Sequence, residues 1–142
     1  MDTAQKKTIT VEAVVKAPIE IVWDLWTTPE DITQWNHASD SWHTPSAKND
    51  LRKGGKFLFR MEAKDGSFGF DFWGVYDRVT EHDVIAYTIG DGRKVEITFT
   101  SNGAETKVVE TFEAESQNST EMQRGGWQAI LNNFKKYVET VS

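Results

Sequence analysis

The spacing of apolar residues changes period along this chain, and each change marks a new element. TITVEAVVK alternates, with Ile9, Val11, Ala13 and Val15 on one face and Thr10, Glu12 and Lys16 on the other. That period of two predicts a half-buried strand. At Ala17-Pro18 the period lengthens. IEIVWDLW sets Val22, Trp23 and Trp26 at helical spacing, and Pro18 suits a first-turn position. Thr28-Pro29 interrupts, and PEDITQW restarts as a second short helix with Thr28 as its cap. The next stretch, QWNHASDSWHTPSAKND (34–50), holds no sustained period and reads as a loop.

Alternation then returns. GKFLFRMEA places Phe57, Phe59 and Met61 opposite Leu58, Arg60 and Glu62, and Asp65-Gly66 is a hairpin dipeptide. SFGFDFWGVYDRV follows as a long strand in which Gly74 marks a bulge or a close approach. VIAYTI, KVEITFTS and TKVVETFEA complete a meander, divided by Gly90-Asp91-Gly92 and by Asn102-Gly103. These links are too short for parallel crossovers, so the sheet is expected to be antiparallel. The last segment is a helix: Trp127, Ile130, Leu131, Phe134, Val138 and Val141 form one apolar stripe opposite Gln128, Asn132, Lys135, Lys136 and Glu139. Asn118 with Glu121 fits a capping box, and Ser119 is the rival cap. The expected fold is α+β, a single domain over 1–142: a curved antiparallel sheet of about six to seven strands around a long C-terminal helix, with two short helices after the first strand.

Composition adds one point to that picture. Six Trp and eight Phe in 142 residues are many for so small a domain. A twisted sheet and a straight helix do not fit flush, so the gap between them is either plugged by these aromatic side chains or left as a cavity. Its candidate lining is Phe57, Phe59, Met61, Tyr87, Ile97, Phe99, Trp127, Ile130 and Phe134, with Trp35 and Trp42 near one mouth.

Charge and cysteine content exclude several classes. A net charge of −6 with scattered Lys and Arg argues against a general nucleic-acid binder. No stretch approaches the roughly 18 apolar residues of a membrane span. MDTAQKKTIT lacks the apolar core of a signal peptide, and zero cysteines remove disulfides, thiolate metal sites and thiol nucleophiles. A cytoplasmic location is expected, and monomer and homodimer both stay open.

Four segments, APIEIVWDLWTTPEDITQW, DLRKGGKFLFRMEAKDG, FWGVYDRVTEHDVIAYT and GGWQAILNNFKKYVE, together resemble the helix-grip superfamily (START-like, Bet v-type, SRPBCC). Within it they resemble the Aha-type family, named for the C-terminal domain of the activator of the heat-shock-protein-ninety ATPase. They cover essentially the whole chain in the family's order. The resemblance implies a pocket-entrance loop at 34–50 and no metal. It does not fix the function, because that scaffold carries lipid binding, transport, cyclisation and chaperone regulation.

The chemistry-bearing residues are few. His37, Asp40 and His43 lie three apart, which on a helix would fan the side chains over roughly 120°. In a loop they could converge, but a zinc site also needs oriented ligands and supporting hydrogen bonds. The favoured expectation is solvated His and Asp flanking a packed Trp42, with no metal and no cofactor. No G-x-S-x-G or Ser-His-Asp arrangement appears. Gly125-Gly126 falls inside the last helix at a cost of about 1 kcal/mol each relative to Ala, which implies either a close sheet contact or a flexible spot over the pocket.

Glu110 is the polar residue of most interest. If Val108 and Phe112 face inward, so does Glu110; a register off by one turns Val109 and Thr111 inward instead. Arg60, Asp71 and Arg78 are alternative polar partners if the faces run otherwise. An inward carboxylate is costly unless paired, protonated or wet, and it would anchor a ligand amine or hydroxyl or serve as a general base.

The leading expectation is non-enzymatic binding of a small hydrophobic or amphipathic ligand. The alternatives are regulation of a heat-shock-protein-ninety-type chaperone by contact with it, and an aromatase or cyclase using Glu110 with Tyr76 or Tyr87.

Overall fold

In the computed structural model, described over residues 7–141, the chain runs β1 (Thr8–Val15), α1 (Ile19–Thr27), α2 (Pro29–Trp35), β2 (Trp42–Asn49), β3 (Lys56–Ala63), β4 (Gly69–Thr80), β5 (Val84–Ile89), β6 (Lys94–Asn102), β7 (Glu105–Glu113) and α3 (Thr120–Val141). Most of the MDTAQKKTIT segment read above lies outside the described residues. The strands form one sheet in the order β1-β7-β6-β5-β4-β3-β2, every neighbouring pair antiparallel. This is the expected architecture, at the upper end of the expected strand count.

One strand was not expected. The second half of QWNHASDSWHTPSAKND is β2, paired with β3 at the sheet edge. It lacks an alternating apolar pattern because only one of its neighbours is a strand. It tolerates Pro45, which has no N–H to give, because the register shifts between His43 and Ser46. Only residues 36–41 remain as loop between α2 and β2.

Gly74 on β4 is a close approach rather than a bulge. A Cβ there would lie 2.6 Å from the Thr88 carbonyl oxygen and 2.8 Å from the Phe57 ring. The bulge falls two residues on, between Tyr76 and Arg78.

The long helix lies along the free edge of β1. Gln128 Nε2 donates to the Glu12 carbonyl at 3.1 Å, Lys135 Nζ to the Val14 carbonyl at 2.8 Å, and the Lys16 amide donates to Glu139 at 2.9 Å. Alternate backbone groups of an edge strand are thus satisfied by helix side chains, which also blocks edge pairing with another chain. On the helix's other flank Asn133 donates to the Trp35 carbonyl at 2.8 Å and the Tyr137 hydroxyl donates to Asp31. Between these two lines of polar contact the apolar stripe turns inward, with Leu131, Phe134 and Val138 fully buried.

Ser119 is the helix cap, its Oγ accepting from the Met122 amide at 3.1 Å. Asn118 instead donates to Glu115 at 2.8 Å. A Cβ added at Gly125 or Gly126 would meet nothing within 4 Å, so no close sheet contact requires these glycines. Gly125→Ala and Gly126→Ala are each expected to stabilise the fold by about 0.5–1 kcal/mol, read as a higher urea midpoint. A lower midpoint for either variant would show that the glycine is required by the native helix.

Candidate functional site

The inner faces of β3 to β7 and the N-terminal half of α3 enclose a cavity of about 210 Å³. Its floor is built strand by strand, two residues apart, as the pleat requires. Phe57, Phe59 and Met61 come from β3, and Phe70, Phe72 and Tyr76 from β4. Ile85 and Tyr87 come from β5, Ile97 from β6 and Glu110 from β7. Trp127 and Ile130 of α3 form the roof, and Trp26, Trp35 and Asn36 close the end beneath α1 and α2. Phe70 belongs both to the wall and to the surface, being 42% exposed, so the cavity opens beside it. Phe68 and Trp42 pack around Phe70 with ring centroids 6.2 and 6.0 Å away, making an aromatic rim.

The wall is held in place from behind. The Trp127 indole stacks on Phe112, centroids 3.9 Å apart and planes within 10°, and meets Phe72 edge-on. Trp35 Nε1 donates to the Leu25 carbonyl at 3.0 Å, which fixes the ring between α1 and the cavity. Tyr76 donates its hydroxyl to Asn49, whose amide donates to the Thr27 carbonyl at 2.7 Å, tying β4, β2 and α1 together. Thr44 donates to the Asn36 carbonyl at 2.6 Å and holds the end wall against β2.

Glu110 takes the inward register. It pairs with Val11 on β1 and Ile97 on β6, and Val108, Glu110 and Phe112 are all buried. Glu110 is 5% exposed, and its carboxyl group forms no hydrogen bond or ion pair with any described residue. Among the described residues no Lys, Arg or His lines the cavity. Burial alone pushes the Glu110 pKa up to about 8, so the group is mostly protonated at neutral pH. The Tyr87 hydroxyl is likewise without a hydrogen bond among the described residues; burial and then the Glu110 charge push its pKa well up. Burial also raises Tyr76, opposed by its bond to Asn49.

Of the residues expected to line the cavity, Trp35, Phe57, Phe59, Met61, Tyr87, Ile97, Glu110, Trp127 and Ile130 lie on its wall. Two do not: Phe99 packs behind the wall against Trp23 and Trp26, and Phe134 against Trp26 and Trp35. Trp42, expected near a mouth, is on the rim, whereas Trp35, expected beside it, closes the end beneath α1 and α2. Trp26, Asn36, Phe70, Phe72 and Ile85 went unforeseen, and Tyr76 was expected there only in the cyclase alternative. The alternation in FDFWGVY contained the signal for three of them, but Trp73 and Val75 on the opposite face are equally apolar.

His37, Asp40 and His43 form no group that could hold a metal ion among the described residues. His37 Nε2 faces the Asn133 amide at 3.1 Å, and its Nδ1 is buried without a partner among the described residues. Burial, and then the Lys64 charge, lower its pKa. His43 lies 3.8 Å from Glu62. Arg60 reaches outward to Glu62 at 2.8 Å and Asp71 at 3.3 Å, away from Glu110.

A curled seven-stranded sheet gripping one long helix, with a cavity between them, defines a helix-grip protein. Residues 16–139 match the family model for Activator of Hsp90 ATPase homolog 1-like protein, and the chain belongs to that family. The solution structure of the AHSA1-like protein from Aeromonas hydrophila is 45% identical with a TM-score of 0.89, over 94% of this chain and 93% of that one. A solution structure from Cytophaga hutchinsonii is 56% identical with a TM-score of 0.82, over 94% and 92%. A crystal structure from Chromobacterium violaceum, 22% identical with a TM-score of 0.83 over 94% and 98%, shares the fold. No curated protein gives a match. Among the described residues no helix is long and apolar enough to cross a membrane.

The raised pKa of Glu110 makes stability depend on pH. Between the ordinary glutamate value and about 8 the native state holds a proton that the unfolded chain has lost. Stability is therefore full below about pH 4.5 and falls as pH rises to about 8, by up to about 1.4 kcal/mol per unit. Glu110→Gln is expected to remove this slope, leaving the variant above wild type in urea melts at pH 8 and close to it at pH 5. A wild-type slope that persists in the variant would assign the pH dependence elsewhere.

Proposed function

We propose that this protein binds a small hydrophobic or amphipathic molecule in the cavity between its sheet and α3, without transforming it. The observation that carries the reading is a wall of aromatic rings around about 210 Å³ of space, with two polar groups, Glu110 and Tyr87, that no described residue satisfies. Apolar space somewhat smaller than this, about 150 Å³, suffices to take up benzene. Both polar groups line the cavity, where a ligand of matching polarity would supply a partner that the protein does not. Burial of the ligand body supplies affinity, and the polar pair supplies orientation.

A second reading has one observation in its favour. Phe68 is 62% exposed and Phe70 42%, and with half-buried Trp42 they present apolar rings at the surface. Such a patch suits contact with another protein, and the family's description makes a chaperone of the heat-shock-protein-ninety type the natural partner. The cavity reading is preferred because it accounts for the same rings as the rim of an opening and also for the interior groups.

Native mass spectrometry of gently purified protein tests the proposal. A reproducible mass excess that disappears on denaturation is expected, together with its loss in Ile130→Trp, which fills the cavity from the roof. A bare mass, with no thermal shift on adding small aromatic compounds, would overturn the cavity reading in favour of the rim as a protein-docking surface.

A further inference from the structure

We infer that the ligand is an organic cation, a primary or secondary ammonium on a compact apolar body, whose nitrogen is held between the Glu110 carboxylate and the Tyr87 hydroxyl. This rests on the cavity reading above and names the chemistry the cavity selects.

Among the described residues the wall carries one carboxylic acid and no basic side chain. Glu110 sits on β7 between Val11 of β1 and Ile97 of β6, and Trp127 and Ile130 of α3 roof the cavity that it lines. Among the described residues, the titratable groups that share the cavity wall with it are Tyr87 on β5, which feels its charge, and Tyr76 on β4. Tyr76 is already committed to Asn49, which leaves Tyr87 as the free hydroxyl. Arg93, whose charge Tyr87 feels, is bound to Asp91 at 2.8 Å and is not among the residues of the wall.

An anionic ligand would find no positive group here and would face a carboxyl group and the negative faces of aromatic rings. A cation finds both favourable: the carboxylate pairs with it, and the rings attract it through their quadrupoles. Trp26, Phe57, Phe59, Phe72 and Trp127 supply such rings. A neutral ligand gains only the apolar term and one hydrogen bond.

The proton balance distinguishes these classes. In the free protein Glu110 holds its proton up to about pH 8. An ammonium ligand pairs with the carboxylate, so binding releases that proton. Affinity for the cation therefore rises about tenfold per pH unit up to pH 8 and then levels off until the ligand itself deprotonates near about 10. A neutral ligand that accepts a hydrogen bond from the protonated acid behaves oppositely, with flat affinity below about pH 8 and a decline above it.

The test is calorimetric titration of the full-length protein at pH 6, 7, 8 and 9 with three matched probes: 2-phenylethylamine, 2-phenylethanol and 3-phenylpropanoate. Of the three probes at pH 8, the amine is expected to bind tightest and the carboxylate weakest, with about a tenfold rise for the amine between pH 6 and 7. In Glu110→Gln, which keeps shape and removes the charge, the amine's preference and its pH slope are expected to vanish while the alcohol still binds. Tighter binding of the alcohol or the carboxylate at pH 8, or an amine affinity without a pH slope, would overturn the cation assignment and leave the cavity reading standing. Failure of all three probes to bind would overturn both.

Discussion

The structure depends on how α3 is seated. Its polar side chains Gln128, Lys135 and Glu139 satisfy the backbone of the β1 edge, while Asn133 and Tyr137 tie it to α2. Both attachments fix the helix over one side of a sheet that curls away beneath it. The C-terminal half of the helix sinks into the core, where Leu131, Phe134 and Val138 are sealed. The N-terminal half roofs the cavity, with Trp127, braced by Phe112, meeting Phe72 edge-on. The space under Ile130 and Trp127 is thus a geometric consequence of a straight element held along a curved one.

Glu110 is explicable only in that space. A leucine at the same place on β7 would pack against Val11 and Ile97 with no desolvation cost, and a buried, unpaired carboxyl group lowers stability at neutral pH. The fold tolerates it because protonation neutralises it and because it borders a cavity rather than solid core. A residue that costs stability where an apolar one would add to it is the kind of residue a functional site retains. The aromatic rings around it serve the fold and the site together: Trp26 and Trp35 are packed against Phe134 on one side and face the cavity on the other.

Much of this was legible in the residues, for identifiable reasons. Alternation in TITVEAVVK specified the inner face of β1, because polar residues occupy most of the outer positions. The stripe on α3 was equally plain. β2 was illegible because an edge strand interrupted by Pro45 carries no period. On β4, Trp73 and Val75 on the outer face match Phe72 and Tyr76 on the inner one in hydrophobicity, so parity alone could not say which rings met the cavity. Glu110 could be narrowed to two registers, and the pairing of β7 with both β1 and β6 decided between them. His37, expected in solvent, is drawn against Asn133 by a contact between α2's end and α3 that no local pattern announces.

The central claim is that a neutral, unpaired acid sits at the back of an open aromatic cavity. Titration of the Glu110 carboxyl carbon by NMR, with Glu110→Gln to assign the resonance, measures this directly. The account predicts a midpoint near 8, set by burial alone. A midpoint in the ordinary glutamate range would mean that the carboxyl group is solvated or paired, and would contradict it.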